Sequence, residues 1–418
     1  MSRHRSLEPG GLAYLALGGA LTAQAALAID SLLPALPAVV AELGMTPGSV
    51  QLTIALFLFG FAVGQIAWGW LSDWLGRRLV ILVGTGAFIA ATLLCAAAGS
   101  GEELIVWRTL QGLFASASMA ATRAMFRDHF TGVKLARQMA AMTAVFFLSP
   151  MLAPQLGAAL LQVFGWRGVF LVPGLVALAS FLVSWRVLAE SHPAASRKRH
   201  SLATIVQSTW AMVRHPLSGL CLGIQGSMGI GLLTWISSSS LILTGHFQVS
   251  VRFFSLMFAA TAFVQLLGSL WCNHLLRIRG AHEVMALGGA ICLAGGTLVF
   301  LVTVPFEATL WWTMAGMWAY MLGFGLIVPS STGMALHAFG AIGGLAAAAL
   351  GTAQSLIGVL GSVMSAVLYD GSPFSLGVGV GLSAGLACIA AGTLSYRLRK
   401  HPELLDSAEE MIVPGNPS

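Results

Sequence analysis

The sequence predicts an all-α integral membrane protein, with twelve transmembrane helices arranged as two pseudo-symmetric six-helix bundles. Three observations lead there. Of 418 residues, 57% are hydrophobic and 9% charged, against about 25% charged in soluble domains. With a mean hydropathy of +0.85, the chain has too few charges to coat a soluble globule. A bilayer core about 30 Å thick takes roughly 20 apolar residues per helix, and about twelve such windows follow one another along the chain. The two halves also carry a faint repeat: Gly64 and Gly76 keep register with Gly268 and Gly280, with Arg277 where Asp73 would be.

In order, and within about four residues at each end, the windows cover 12–36, 50–70, 79–99, 104–122, 138–162 and 168–188, then 217–241, 252–272, 283–303, 310–330, 342–368 and 374–396. The first follows Arg3 and Arg5 and contains Ala26-Leu27-Ala28, which imitates a secretory signal. Its apolar stretch is longer than a signal core, so an uncleaved first helix is expected. Between the sixth and seventh windows, His192 to Arg214 is polar and includes Arg197-Lys198-Arg199-His200, the mark of a linker. The expected organisation is therefore a bundle over 1–190, a cytoplasmic linker over 191–215, a bundle over 216–400 and a cytoplasmic tail over 401–418.

Charge placement sets the orientation. With the N-terminus inside, only Arg108, Arg167 and Arg252 of the 21 Lys and Arg fall elsewhere, so eighteen lie on the cytoplasmic side (21 − 3). Both termini are expected in the cytoplasm. The net charge of +6 thus reports topology and not nucleic-acid binding. Cys95, Cys221, Cys272, Cys292 and Cys388 fall inside apolar runs without metal-ligand spacing and read as buried small hydrophobes.

Fourteen of the 15 acidic residues lie in loops, tails or span ends, and Asp30 does not. An ionised carboxylate in hydrocarbon costs about 2.5 to 3.5 kcal/mol on insertion scales, so such a residue usually faces an interior cavity and titrates or pairs. Counting from Pro37 puts Asp30 on the order of 10 Å below the outer surface. Pro34 removes the helical partner of the Asp30 carbonyl, and a kink is expected there. A proton- or substrate-binding carboxylate is the favoured reading; an acid reaching water at the outer interface is the other. Arg108 lies about 7 Å inside the fourth span. At matched depth it is expected to pair with Asp30 and bias its proton affinity, the alternative being an arginine snorkelling to the headgroups.

The neutral amides Gln24, Gln51, Gln65, Gln111, Gln155, Gln225, Gln265 and Gln354 lie in apolar spans. Most such amides bond between helices, and some are candidates for substrate contact. Gly344, Gly351 and Gly358 line one face of span eleven, and Gly60 and Gly64 form a GxxxG pair, both expected as packing surfaces. Met257, Met314, Met317, Met321, Phe258, Phe263, Trp318 and Tyr320 offer soft side chains suited to an apolar ligand, or to lipid and helix packing. Trp311 and Trp312 suggest an interfacial belt.

Gly69-Trp70-Leu71-Ser72-Asp73-Trp74-Leu75-Gly76-Arg77-Arg78 resembles the signature loop of the major facilitator superfamily. The segments around Asp30 to Pro37, Gln51-Leu52-Thr53, Gly64-Gln65, Arg108-Thr109-Leu110-Gln111-Gly112 and Gly165-Trp166-Arg167 resemble the bicyclomycin and chloramphenicol resistance branch of its drug:proton antiporters. The resemblance is sharp over the first 190 residues. It implies two bundles rocking around a midplane cavity, with Gly69, Asp73, Gly76, Arg77 and Arg78 latching the halves on the cytoplasmic side and Arg108 linked to proton coupling. Two departures stand out: Trp74 replaces a usual basic residue. The antiporter motif of span five appears as Ser149, Ala153, Pro154, Gly157 and Ala158, keeping Pro154 and Gly157 but losing three glycines.

The expected function is a proton-coupled exporter of small, mostly apolar molecules, not an enzyme, driven by the proton gradient with no cofactor and no metal. Its partners would be a small-molecule substrate, protons and the lipid bilayer, in a monomer in a bacterial inner membrane. A Walker loop, a GxSxG elbow, HExxH and paired intramembrane carboxylates are missing from the sequence, so ATP-driven transport and intramembrane catalysis lack their parts. An exporter of a specific metabolite on the same scaffold is the runner-up, and a non-transporting receptor the third reading.

Overall fold

This computed structural model describes residues 7–193, 210, 213–304, 308–338 and 343–400. Arg3, Arg5, the 197–200 cluster and the 401–418 tail lie outside the described residues.

The first window is α1 (Leu12–Asp30), a 3-10 turn (Leu33–Ala35) and α2 (Leu36–Leu43). The kink expected at Pro34 is an interruption of the α-helical hydrogen bonding, with α1 ending on Asp30 and a 3-10 turn following, inside a stretch (Leu12–Leu43) that remains one apolar span. Then come α3 (Pro47–Leu75), α4 (Arg77–Ala97), α5 (Gly101–His129), α6 (Gly132–Gly168) and α7 (Leu171–Val187). The second series is α8 (Pro216–Leu241, extended by a π turn to His246), α9 (Val251–Leu275), α10 (Ala281–Thr303), α11 (Leu310–Ala338), α12 (Gly343–Leu368) and α13 (Phe374–Lys400). Every window is thus helical.

Most helices overrun their windows because hydropathy marks only the hydrocarbon, whereas caps set the ends. Thr46 accepts the Ser49 N–H at 3.0 Å ahead of Pro47, and Ser100 accepts the Glu103 N–H at 3.3 Å. Glu102 and Glu103 occupy the first turn of α5, where the helix dipole favours acids. Gly76, at φ +99°, makes the tight junction of α3 and α4, which only glycine adopts without strain.

Among the described residues nine helices are individually long and apolar enough to cross a membrane. The segments 148–168 and 171–187 meet that measure as a pair bent by 85°; Gly165, at φ +68°, interrupts α6 just before the bend. α5 falls short because it carries Arg108, Gln111, Ser116 and Ser118, all fully buried. Its polar residues point inward and its deficit in hydropathy is a sign of an interior role. Large apolar side chains elsewhere face outward, among them Leu93, Val163, Val367 and Ile389, as a lipid-facing surface requires.

The chain divides into two compact units, Met1–Leu202 with Gln248–Ala259, and Ala203–Phe247 with Ala260–Ser418. In the first, α5 packs against α3 and α4, and α1 against α6 and α7. In the second, α10 packs against α11 and α13, and α8 against α12 and α13. Small residues allow these approaches. A Cβ on Gly60 or Gly112 would overlap the backbone of Thr109 or Phe57, and one on Gly64 would meet the Leu113 carbonyl. Gly268 meets the Leu322 carbonyl in the same manner, so the Gly64 and Gly268 of the repeat each close a helix pair in its own unit. On α12, Gly358 abuts Gly229, whereas Gly351 faces open space. Met314, Met317, Tyr320 and Met321 are core residues, Trp311 and Trp312 are exposed, and four of the five cysteines are buried, Cys388 being partly so.

Candidate functional site

Asp30 terminates α1 and is 4% exposed. Among the described residues its carboxylate takes part in no hydrogen bond or ion pair. The expected pairing with Arg108 is not formed, for a reason that lies in the backbone. Where α1 ends, the Leu32 N–H turns to the Ile29 carbonyl at 3.1 Å, which leaves the Ala28 carbonyl without its helical donor. Arg108 Nη1 takes that place at 3.1 Å and also donates to Gln111 Oε1 at 2.6 Å. The guanidinium carbon lies 4.3 Å from the Phe57 ring centroid. The arginine is fully buried, so it does not snorkel. Its charge rests on a helix C-terminus, an amide and an aromatic face, two residues from Asp30 along α1.

α6 lies directly on the turn after Asp30. Gly157 meets the Ser31 carbonyl so closely that a Cβ would overlap it, and Pro150 and Pro154 sit within the same helix. Ser31 Oγ donates to the Leu27 carbonyl at 2.6 Å. Gly157 is therefore the contact through which α6 approaches the α1 break.

The glutamines divide by partner. Gln111 bonds Arg108 and donates from Nε2 to Thr92 Oγ1 at 2.8 Å. Gln155 Nε2 donates to the Ser255 carbonyl at 2.7 Å, and Ser255 Oγ donates to the Pro154 carbonyl at 3.2 Å. Gln225 Nε2 serves the Val328 carbonyl, Ser331 and Thr332 at 2.8 to 3.1 Å. The amide nitrogens of all three, and the oxygen of Gln111, are occupied by the protein. Gln24 and Gln51 are fully buried, and among the described residues neither amide atom of either has a hydrogen-bond partner. Gln265 and Gln354 contribute backbone carbonyls to the close approach of Gly325 and Gly229.

The α3–α4 junction forms a second polar centre. Arg77 Nη1 donates to Asp73 at 2.5 Å and to Ser72 Oγ at 2.7 Å, while its Nε donates to Asp128 at 3.0 Å. The Glu190 carboxylate accepts the Arg77 N–H at 2.8 Å and the Arg78 N–H at 3.2 Å, so it caps α4. Arg78 Nη2 donates to the Trp185 carbonyl at 2.9 Å. These partners all belong to the first unit. The carboxylate at the N-terminus of α4 is Glu190, while Asp73 bonds Arg77 one turn away. Gly69 has open space around it and makes no close approach.

Sequence reasoning missed Asp128, Glu190, Thr92 and the Ala28 carbonyl. Only Gln111, one helical turn from Arg108, carried a local signal.

The family model described as Major Facilitator Superfamily matches residues 18–238. The chain is 25% identical to a bicyclomycin resistance protein homolog of Haemophilus influenzae, over 88% of this chain and 91% of that protein. It is 27% identical to a chloramphenicol resistance protein of Pseudomonas aeruginosa (77% and 75%) and 28% identical to the multidrug transporter MdfA of Yersinia pestis (90% and 91%). Among solved structures, the inward-open xylose transporter XylE from E. coli superposes with a TM-score of 0.70 at 15% identity, covering 91% of this chain and 94% of that one. A D-xylose-proton symporter gives 0.73 at 17% identity, covering 91% and 96%. At that identity the likeness is one of fold. With more than half its length matched by the family model, this multi-pass chain belongs to the Major Facilitator Superfamily, and is a membrane transporter for small molecules.

Proposed function

We propose that this transporter exports small, mostly apolar drugs or toxic compounds across a bacterial inner membrane in exchange for protons, by alternating access. The observation that carries the reading is Asp30: a buried carboxylate without an ion pair, placed where a membrane helix breaks. Such a group costs several kcal/mol to keep charged and is therefore disposed to exchange a proton. Arg108, anchored on the Ala28 carbonyl of the same helix, is the cation assigned to bias that proton, and the Gly157 contact gives α6 a direct path to any movement of the α1 break. The names of the resistance-protein relatives support a drug as cargo over a metabolite. Both termini in the cytoplasm, a monomer and no cofactor beyond the proton gradient complete the proposal.

The test is proton release from acid-loaded inverted membrane vesicles when hydrophobic drugs are added. Parent protein is expected to release protons and Asp30→Asn to release none. Equal responses from the two would remove Asp30 from the mechanism. Silence from both, across a chemically varied panel, would point to a different cargo or coupling.

A further inference from the structure

A primary amide can be turned by 180° with little change of shape, so its partners decide which end faces which way. Gln111 faces Arg108 on one side, and only its oxygen can serve there, because a guanidinium has donors alone. The opposite side is held by Thr92 on α4. The Thr92 hydroxyl has a single hydrogen, which it donates to the Phe88 carbonyl at 2.7 Å. Toward Gln111, 2.8 Å away, it can therefore only accept. That compels the Gln111 NH2 group to face α4 and its oxygen to face Arg108, with Cys95 Sγ as a weak second donor at 3.7 Å. Thr92, Gln111 and Cys95 are all buried, so water does not offer an easy alternative.

We propose that Thr92 is a positioning residue: it fixes the direction of the Gln111 amide, which in turn holds the Arg108 guanidinium on the Ala28 carbonyl and away from the Asp30 carboxylate. The functional half of this statement rests on the proton reading of Asp30; the orientation half does not. Charged or titratable groups on the packed elements are few. α1 brings Asp30, α4 brings Cys95 and α5 brings Arg108, while Glu102, Glu103 and Arg167 stand at helix ends and α3 offers Phe57 at this level.

Melting of the purified protein tests the orientation. Thr92→Val should lower the melting temperature by about 2 °C, and Thr92→Ser, which keeps the hydroxyl, should restore it. A melting temperature of Thr92→Val equal to the parent's would mean that Thr92 only fills space, since valine keeps its shape, and the orientation would be overturned.

Drug-driven proton release, measured against pH in inverted vesicles, tests the consequence. With its anchor loosened in Thr92→Val, the Arg108 cation gains access to Asp30 and favours the ionised carboxylate. The midpoint should then move about one pH unit lower, with Thr92→Ser matching the parent. An unmoved midpoint in Thr92→Val, with the parent responding, overturns the positioning role. Absence of release from the parent instead defeats the antiport reading, and the melting comparison still decides the orientation.

Discussion

Arg108 is a cation in a membrane protein's interior whose anchors are neutral. A cation at a helix C-terminus gains about 0.3 to 1 kcal/mol when exposed and up to ~2 kcal/mol when partly buried, and a desolvated aromatic face adds about 2 kcal/mol. The guanidinium meets both at once: Nη1 reaches the Ala28 carbonyl and Gln111 while its carbon lies over Phe57. Lysine cannot do all three. Arg108→Lys is expected to cost about 1 to 3 kcal/mol through an orphaned carbonyl or amide, read as a lower melting temperature, and to abolish drug-driven proton release. The charge and depth of Arg108 and Asp30 could be read from the chain because both interrupt apolar runs. Their failure to bond could not, since it follows from where the Leu32 N–H turns.

The existence of the helices was legible, because a membrane span needs a long apolar stretch and Pro34 marks its own interruption, but not their ends, since α5 runs to His129 and α11 to Ala338, past windows that close at 122 and 330. What a glycine does on a helix was less so. Gly69 and Gly112 both sit in motif segments, yet Gly112 meets the Phe57 backbone and Gly69 meets nothing within contact range. Gly112→Ala is expected to destabilise by about 1 to 3 kcal/mol through overpacking. Gly69→Ala, in a helix interior with room to spare, should be neutral or stabilising by about 0.5 to 1 kcal/mol. Thermal melting of the two variants in one detergent distinguishes them, and equal losses would show that α3 and α5 do not approach through Gly112. Glutamines pose the same difficulty: periodicity gives a face, whereas Gln111 and Gln225 are committed to partners on other helices that no spacing announces.

For the molecule as a whole, the duplication is written in backbone contacts more than in side chains. Gly64 and Gly268 each bring a helix onto a carbonyl of its neighbour, although the residues around them have diverged. The second unit has Arg277 where the first has Asp73, and among the described residues its buried polar groups, apart from His215 at the start of α8, are hydroxyls and amides, such as the chain from Tyr320 to Ser383 to the Ser227 carbonyl. The titratable centre at the α1 break belongs to the first unit alone, which is why the first 190 residues carried nearly all the functional signal. The Asp128 and Glu190 partners of the α3–α4 junction stayed hidden because they lie 51 and 113 residues from Arg77.

Glu190 also determines where this polypeptide tolerates being cut. Its carboxylate accepts the first N–H groups of α4 and the His192 N–H, Ser191 Oγ donates to Asp128, and Leu188 is buried among Tyr14, Val80 and Phe126. The segment after α7 is thus part of the first unit's framework. If the gene is divided for co-expression as two fragments, a break after residue 193 should yield pieces that reassemble and confer drug resistance on the host. A break after Val187, at the end of the helix, should yield a first fragment that is degraded.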